Sequence, residues 1–208
     1  MNVLAVGAHF DDLEIGCGGT LAKHVRAGDR VIMAVITDSA FSTPDGTVIR
    51  RADTALREGK KAAEIIRAEL LCLNYKTFNV PFDDGLAIKL ITIIEENEID
   101  TVYSHWASDI HRDHQAAGRS VLMAGRHVPR FLMYRSNYYD ADRQFVGNFY
   151  SDISGVIDIK VEAIKAHESE MKRINYTWLD FILKQNANDG QKINVDYAEC
   201  FEVVRYLI

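Results

Sequence analysis

Short apolar runs alternate with amphipathic stretches up to about residue 130, and that alternation sets the reading of the whole chain. NVLAVGA (2–8) is apolar and rich in β-branched residues, which predicts a buried strand; GGTLAKHVRAG (18–28) follows with helical spacing closed by a glycine. RVIMAVIT (30–37) predicts a second buried strand. The polar loop SAFSTPDGTVIRR leads into a long helix over 51–69, whose apolar face carries Ala55, Ala62, Ala63 and Ile66. LLCLNY (70–75) reads as strand, LAIKLITIIEEN (86–97) as helix, DTVYSH (100–105) as strand and QAAGRSVLMAGRH (115–127) as helix. Parallel neighbours need long crossovers, so strands alternating with helices at this period predict a mostly parallel sheet with helices on both faces. The expected fold is an α/β, Rossmann-like three-layer sandwich. Beyond residue 130 the pattern loosens: FLMYRSNYY is strand-like, IDIKVEAIKAHESEMKRI (157–174) reads as one helix, and AECFEVVRYLI (198–208) as a strand.

No internal repeat or low-complexity linker interrupts this pattern, so 1–208 is expected to be one domain, long enough for one sizeable core. The net charge of −6 leaves no basic footprint for nucleic acid, and no polybasic segment suits an anionic membrane surface. A small polar partner is expected instead. No run approaches the ~20 apolar residues of a membrane span, and MNVLAVGAHFDD has neither a basic start nor a long apolar segment. Cys17, Cys72 and Cys200 are odd in number and scattered, so no disulfide framework is expected and a reducing cytoplasm fits. Cys17 reads as a small packing residue. A homo-oligomer is left open, with FLMYRSNYY as its candidate contact.

Candidate chemistry collects where the predicted strands end. In open parallel sheets ligands sit outside the carboxyl ends of the strands. His9, Asp11 and Asp12 stand there after the first strand, and HWASDIHRDH brings His105, Asp109, His111, Asp113 and His114 after a later one. Imidazole and carboxylate together suit zinc or iron, and three protein ligands leave positions open for water and substrate. In H-x-D-D one carboxylate can bind metal while its neighbour takes a proton. His105 and Asp109 are read as solvated loop residues in preference to groups backing a ligand. GCGGT is not a dinucleotide loop, because its order is G-x-G-G and its approach is acidic. Trp106, Tyr138, Tyr139 and Trp178 are equally suited to sugar faces and to core or subunit contacts.

AHFDDLEIGCGGT and HRDH resemble the two signatures of the PIG-L/LmbE-like N-acetylglucosaminyl deacetylases, with NY of LLCLNY, DG of PFDDG, KVEAIKAHES and AECF in matching places. The resemblance implies a zinc-dependent hydrolase, with Fe2+ as an alternative metal, that removes the N-acetyl group from an N-acetylamino sugar conjugate. It implies metal ligands His9, Asp12 and His114, a general base Asp11, an oxyanion or leaving-group imidazole His111, and Asp113 orienting that imidazole. Asp84 and His167 become candidate substrate groups. The family's arginine before the second-helix glutamate falls on Ala55, so Arg51 or Arg57 is expected to replace it. Phe10 stands where the family has proline, which implies a looser loop. Glu170 stands where glutamine is common. A metal-dependent phosphoesterase and a non-catalytic sugar- or metal-binding module remain the alternatives.

Overall fold

The strand predicted at the start becomes the middle of the sheet because its side chains find apolar cover on both faces. The computed structural model describes residues 1–208. The chain runs β1 (Asn2–Gly7), α1 (Asp12–Arg26), β2 (Arg30–Thr37), the short β3 (Phe41–Ser42) and β4 (Val48–Arg50), α2 (Ala52–Ile66), β5 (Glu69–Tyr75), α3 (Asp84–Glu96) and β6 (Thr101–His105). It continues through α4 (Arg112–Ala124), β7 (Arg130–Tyr134), β8 (Phe149–Asp152), α5 (Ile157–Lys165), α6 (Glu168–Arg173), α7 (Thr177–Lys192) and β9 (Ala198–Tyr206). Val3 and Ala5 of β1 pack with Leu13, Leu21, Ala62, Ile66 and Ala163 of α1, α2 and α5. Leu4 and Val6, on the opposite face, pack with Leu86, Leu90, Ala117 and Val121 of α3 and α4. The two-residue period of the strand thus divides the core into two layers.

The sheet has seven strands in the order β5-β2-β1-β6-β7-β9-β8. The first five pair in parallel, and β9 runs antiparallel to both β7 and β8. The expected mostly parallel α/β sandwich is what the chain forms. From β1 the connections lead first to β2 and β5 on one side, then across to β6 and β7 on the other. The cleft at this reversal opens outside the ends of β1 and β6, where diverging loops leave room for a ligand.

Several boundaries differ from the sequence reading, each for a packing reason. The first helix starts at Asp12, not at residue 18, so Gly16, read as loop, lies inside α1 together with Gly18 and Gly19. They are needed there: a Cβ at Gly16 would stand 2.1 Å from the Tyr134 ring, and one at Gly19 would stand 2.8 Å from Ile153. The single helix expected over 157–174 is two, α5 and α6, broken at His167, whose backbone leaves the helical region with ψ 58°. The polar loop of 38–50 contains the β3–β4 hairpin, and α7 is a helix with no apolar period. Its buried positions include Asn186, Asp189 and Gly190 beside Ile182, so hydrophobicity could not reveal it.

One ion pair ties the last strand to the first helix. Glu199 of β9 accepts from Gly19 N (2.9 Å), Thr20 N (2.7 Å), Thr20 Oγ1 (2.5 Å) and Lys160 Nζ (2.6 Å). Lys160 also donates to the Ile15 carbonyl at 2.8 Å. The pair therefore engages both groups of one helical rung, the Gly19 N–H and the Ile15 C=O four residues before it.

Candidate metal centre and active-site cavity

The loop leaving β1 is fixed atom by atom before it delivers any chemistry. Phe10 is 1 % exposed; its N–H donates to Ser39 Oγ (2.8 Å) and its carbonyl accepts from Arg50 Nη1 (3.0 Å). A proline could not make the first bond, so Phe10 anchors the loop and the expected loosening does not occur. The ring fills the space above Gly59 of α2, where a Cβ would lie 2.2 Å from Phe10 Cδ1. Gly59→Ala is therefore expected to cost about 1–3 kcal/mol by overpacking and to lower turnover by displacing the loop. Urea denaturation and initial rates on the same preparation check both effects, and an unchanged variant would show that the ring is free to move.

Asp11 follows with φ 124° and ψ −26°, a conformation that a non-glycine residue adopts only under strain. Its buried carboxyl lines the cavity; burial and the neighbouring Asp12 push its pKa up to about 7 against the pull of Arg50 and His167. Asp12 opens α1. Its Oδ2 accepts from His9 N (2.7 Å), and its Oδ1 accepts from Ser136 Oγ (2.9 Å). Burial opposes its charge, but the His114 and His105 imidazoles hold its carboxyl well below the usual range.

The later cluster meets this one. His9 Nδ1 lies 3.4 Å from Asp12 Oδ2, and His114 Nε2 lies 3.2 Å from Asp12 Oδ1. Ring nitrogens of His9, His111 and His114 fall within 4.8 Å of one another, and donor atoms of Asp12, His105 and His114 do the same. Burial works against charged imidazoles here, but Asp113 and Asp12 push His9 up to about 9, and Asp12 and Asp109 push His114 up to about 10. A dense, carboxylate-backed set of two imidazoles and one carboxylate suits a borderline divalent cation such as zinc. The outer contacts agree with that fit. Asp113 Oδ2 accepts from His9 Nε2 at 3.0 Å, which leaves Nδ1 facing Asp12, and Asp109 Oδ1 lies 3.3 Å from His114 Nδ1, which leaves Nε2 facing Asp12.

These contacts revise three sequence readings. Asp113 orients His9, not His111, and it also accepts from Phe78 N (2.6 Å) and Val80 N (3.3 Å). Asp109 is 2 % exposed and holds both the His111 N–H (2.7 Å) and the Asn137 amide (2.8 Å), so it is a buried brace, not a solvated loop residue. His105 is fully buried, stacked on His114 at 4.1 Å, with Nε2 accepting from Ala8 N (3.0 Å). His111 stands at the N-cap of α4, its Nδ1 accepting from Asp113 N at 3.2 Å. Burial and the His114 and His9 imidazoles push it down to about 4. The neutral ring then carries its proton on Nε2, as a donor.

A cavity of about 680 Å³ receives His9, Asp11, Asp12, His111 and His114 in its wall, a size suited to a sugar conjugate. Its wall also includes Phe41, Phe78, Trp178, Arg50, Arg173 and Glu170. The expected substrate groups are elsewhere. Arg51 is 73 % exposed and pairs with Asp53, Arg57 reaches Thr54 on the surface, and Asp84 is exposed at the start of α3. The inward arginine is Arg50, because β4 turns its last side chain under the loop, where Glu58 (3.0 Å) and His167 Nδ1 (3.3 Å) meet its Nη2. His167 thus stands behind Arg50 and outside the cavity wall.

The comparisons with known proteins follow the same outline. The diacetylchitobiose deacetylase of Thermococcus kodakarensis is 29 % identical over 190 residues, covering 81 % of this chain and 69 % of that protein. The N,N'-diacetylchitobiose deacetylase structure from Pyrococcus horikoshii superposes with a TM-score of 0.84 at 22 % identity, over 98 % of this chain and 83 % of that one. GalB, the 4-carboxy-2-hydroxymuconate hydratase of Pseudomonas putida, shares the fold with a TM-score of 0.80 at 18 % identity, over 100 % of this chain and 97 % of that one. At those identities the structural likenesses speak for the fold alone. The family model described as PIG-L, GlcNAc-PI de-N-acetylase, matches residues 4–124, which contain both clusters, and the chain belongs to that family.

Proposed function

We propose that this protein is a zinc-dependent N-deacetylase that hydrolyses the acetamide of an N-acetylamino sugar conjugate to acetate and a free amine. The observation that carries the reading is the meeting of His9, Asp12 and His114 in one cavity with a carboxylate, Asp11, and an imidazole, His111, that such a ligand set does not need. A binding module has no use for these two. Family membership and the deacetylase names of the relatives support the same reaction.

His9, Asp12 and His114 would hold a divalent cation, which would supply Lewis acidity to the amide carbonyl and to water. Asp113 fixes the His9 ring for this task, and Asp109 backs His114. Asp11 takes the proton of the attacking water as its oxygen bonds to the acetyl carbon. The His111 Nε2–H donates to the oxyanion that develops on the carbonyl. When the C–N bond breaks, its electron pair stays on the sugar nitrogen, which takes up the proton that Asp11 collected. Arg50, Arg173 and Glu170 offer hydrogen bonds to hydroxyls, while Phe41, Phe78 and Trp178 offer faces to a sugar ring. The three free cysteines support a reducing, cytoplasmic setting, and no helix is long and apolar enough to cross a membrane.

Acetate release from N-acetylglucosamine, N,N'-diacetylchitobiose and N-acetylglucosaminyl conjugates tests the reading. At least one is expected to release acetate and amine in equal amounts, with activity lost on EDTA treatment and restored by zinc. Phosphate release from phosphoesters, or hydration of an unsaturated acid, without acetate release would assign the cavity to another reaction.

A further inference from the structure

Past Ser136 the wall of the catalytic cavity leads to a second space. Ser136, Asn137 and Trp178 line both the cavity and a narrow neck of about 10 Å³, room for roughly one water. Ile15, Arg135 and Gln185 line the neck and also a chamber of about 200 Å³ between α1, α7 and β9. The amide side chains of Gln144, Gln185 and Asn186 make that chamber polar. Arg135 Nε is buried without a hydrogen-bond partner, and the guanidinium rests over the Phe145 ring at 5.5 Å. Lys192, the other cation of the wall, is tied to Asp189 at 2.7 Å. Asn186, 3 % exposed, donates to the Ala198 carbonyl but keeps its Oδ1 unpartnered.

Leaving a desolvated guanidinium N–H without an acceptor costs more than a typical hydrogen bond returns, and a carboxylate matches the planar fork of arginine. We propose that this chamber is a second, carboxylate-binding site that takes up the acetate released in the catalytic cavity, with Arg135 as its anchor. The acetate assignment rests on the deacetylase reading. One uncommitted positive charge suits a monoanion, whereas a phosphate dianion would face Asp189 with no further free cation. Ser136 donates to Asp12 at 2.9 Å, so the neck begins beside the reacting centre. Trp178, Phe181, Ile182 and Gln185, all on α7, form one wall of the neck, so the passage of acetate through it requires these side chains to move. The two products therefore part: the amine leaves by the front of the cavity and acetate by the back.

The test uses the full chain, zinc-loaded and EDTA-treated, as wild type, Arg135→Leu and Arg135→Lys. Sodium acetate is titrated against sodium chloride at equal ionic strength and followed by saturation-transfer NMR or calorimetry. Saturable binding is expected in both metal states of the wild type, weakened at least tenfold in Arg135→Leu and less in Arg135→Lys. In turnover, acetate is expected to lower kcat without raising the sugar KM, since a filled chamber blocks exit without displacing substrate, and Arg135→Leu is expected to lose that inhibition. Acetate binding only when zinc is present overturns the proposal, as does equal binding by a folded Arg135→Leu or inhibition purely competitive with the sugar. If Arg135→Leu does not fold, Arg135→Lys and the metal-free wild type still decide. Arg135-dependent acetate binding without acetate release from any N-acetylamino sugar refutes the deacetylase reading and leaves the carboxylate site in place.

Discussion

Asp12→Ala is expected to lose both metal and turnover, whereas Asp11→Asn keeps a near-normal metal content and loses about 10² to 10⁴ in rate, the range of a general base. The structure separates these neighbouring carboxylates. Asp12 lies among the His9, His105 and His114 nitrogens, so its removal deletes the anionic donor of the cluster. Asp11 lines the cavity from the strained turn before α1 and has no imidazole partner. His114→Ala is expected to behave like Asp12→Ala, and His111→Ala like Asp11→Asn. Metal analysis of purified variants beside acetate-release rates reads the pattern. Metal loss in Asp11→Asn together with retention in Asp12→Ala would exchange the two roles.

The largest loss of stability is expected from Glu199→Ala. Lys160 and Glu199 have side chains only 1 % exposed, and removing the carboxylate strands the ammonium together with the Gly19 and Thr20 donors. Breaking a buried pair from one side costs about 3–5 kcal/mol. For a chain of this size that corresponds to a fall in Tm on the order of 10 °C. Replacing both partners, as in Lys160→Met with Glu199→Leu, is expected to recover much of the loss, because no charge is left uncompensated. A Glu199→Ala protein that melts within about 2 °C of wild type would show that α1 does not depend on this tie.

The fold was legible wherever burial is two-sided. Runs such as VIMAVI in β2 have one environment available to them, and the switch from strand to helix period marked nearly every element as far as α4. The two polar clusters of the site were legible for a related reason: polar residues directly after buried strands have no core to enter, so they gather at the sheet edge. What escaped depends on distant parts of the chain. Which imidazole Asp113 supports depends on how β1 and β6 stand side by side, and nothing local to HRDH states it. Arg50 sits on a three-residue strand too short for its alternation to register. Asn186 and Asp189 are buried polar residues on α7, so the rule that apolar residues face inward hides the helix that walls both cavity and chamber.

The turn at Asp11 carries a further consequence. A non-glycine residue held at φ 124° stores about 1–3 kcal/mol of strain that glycine at the same place would largely escape. Selection for a durable fold alone would thus favour glycine at position 11. The chain keeps aspartate there at the cost of a weaker fold, and efforts to make this protein more heat-resistant will be tempted to undo it first.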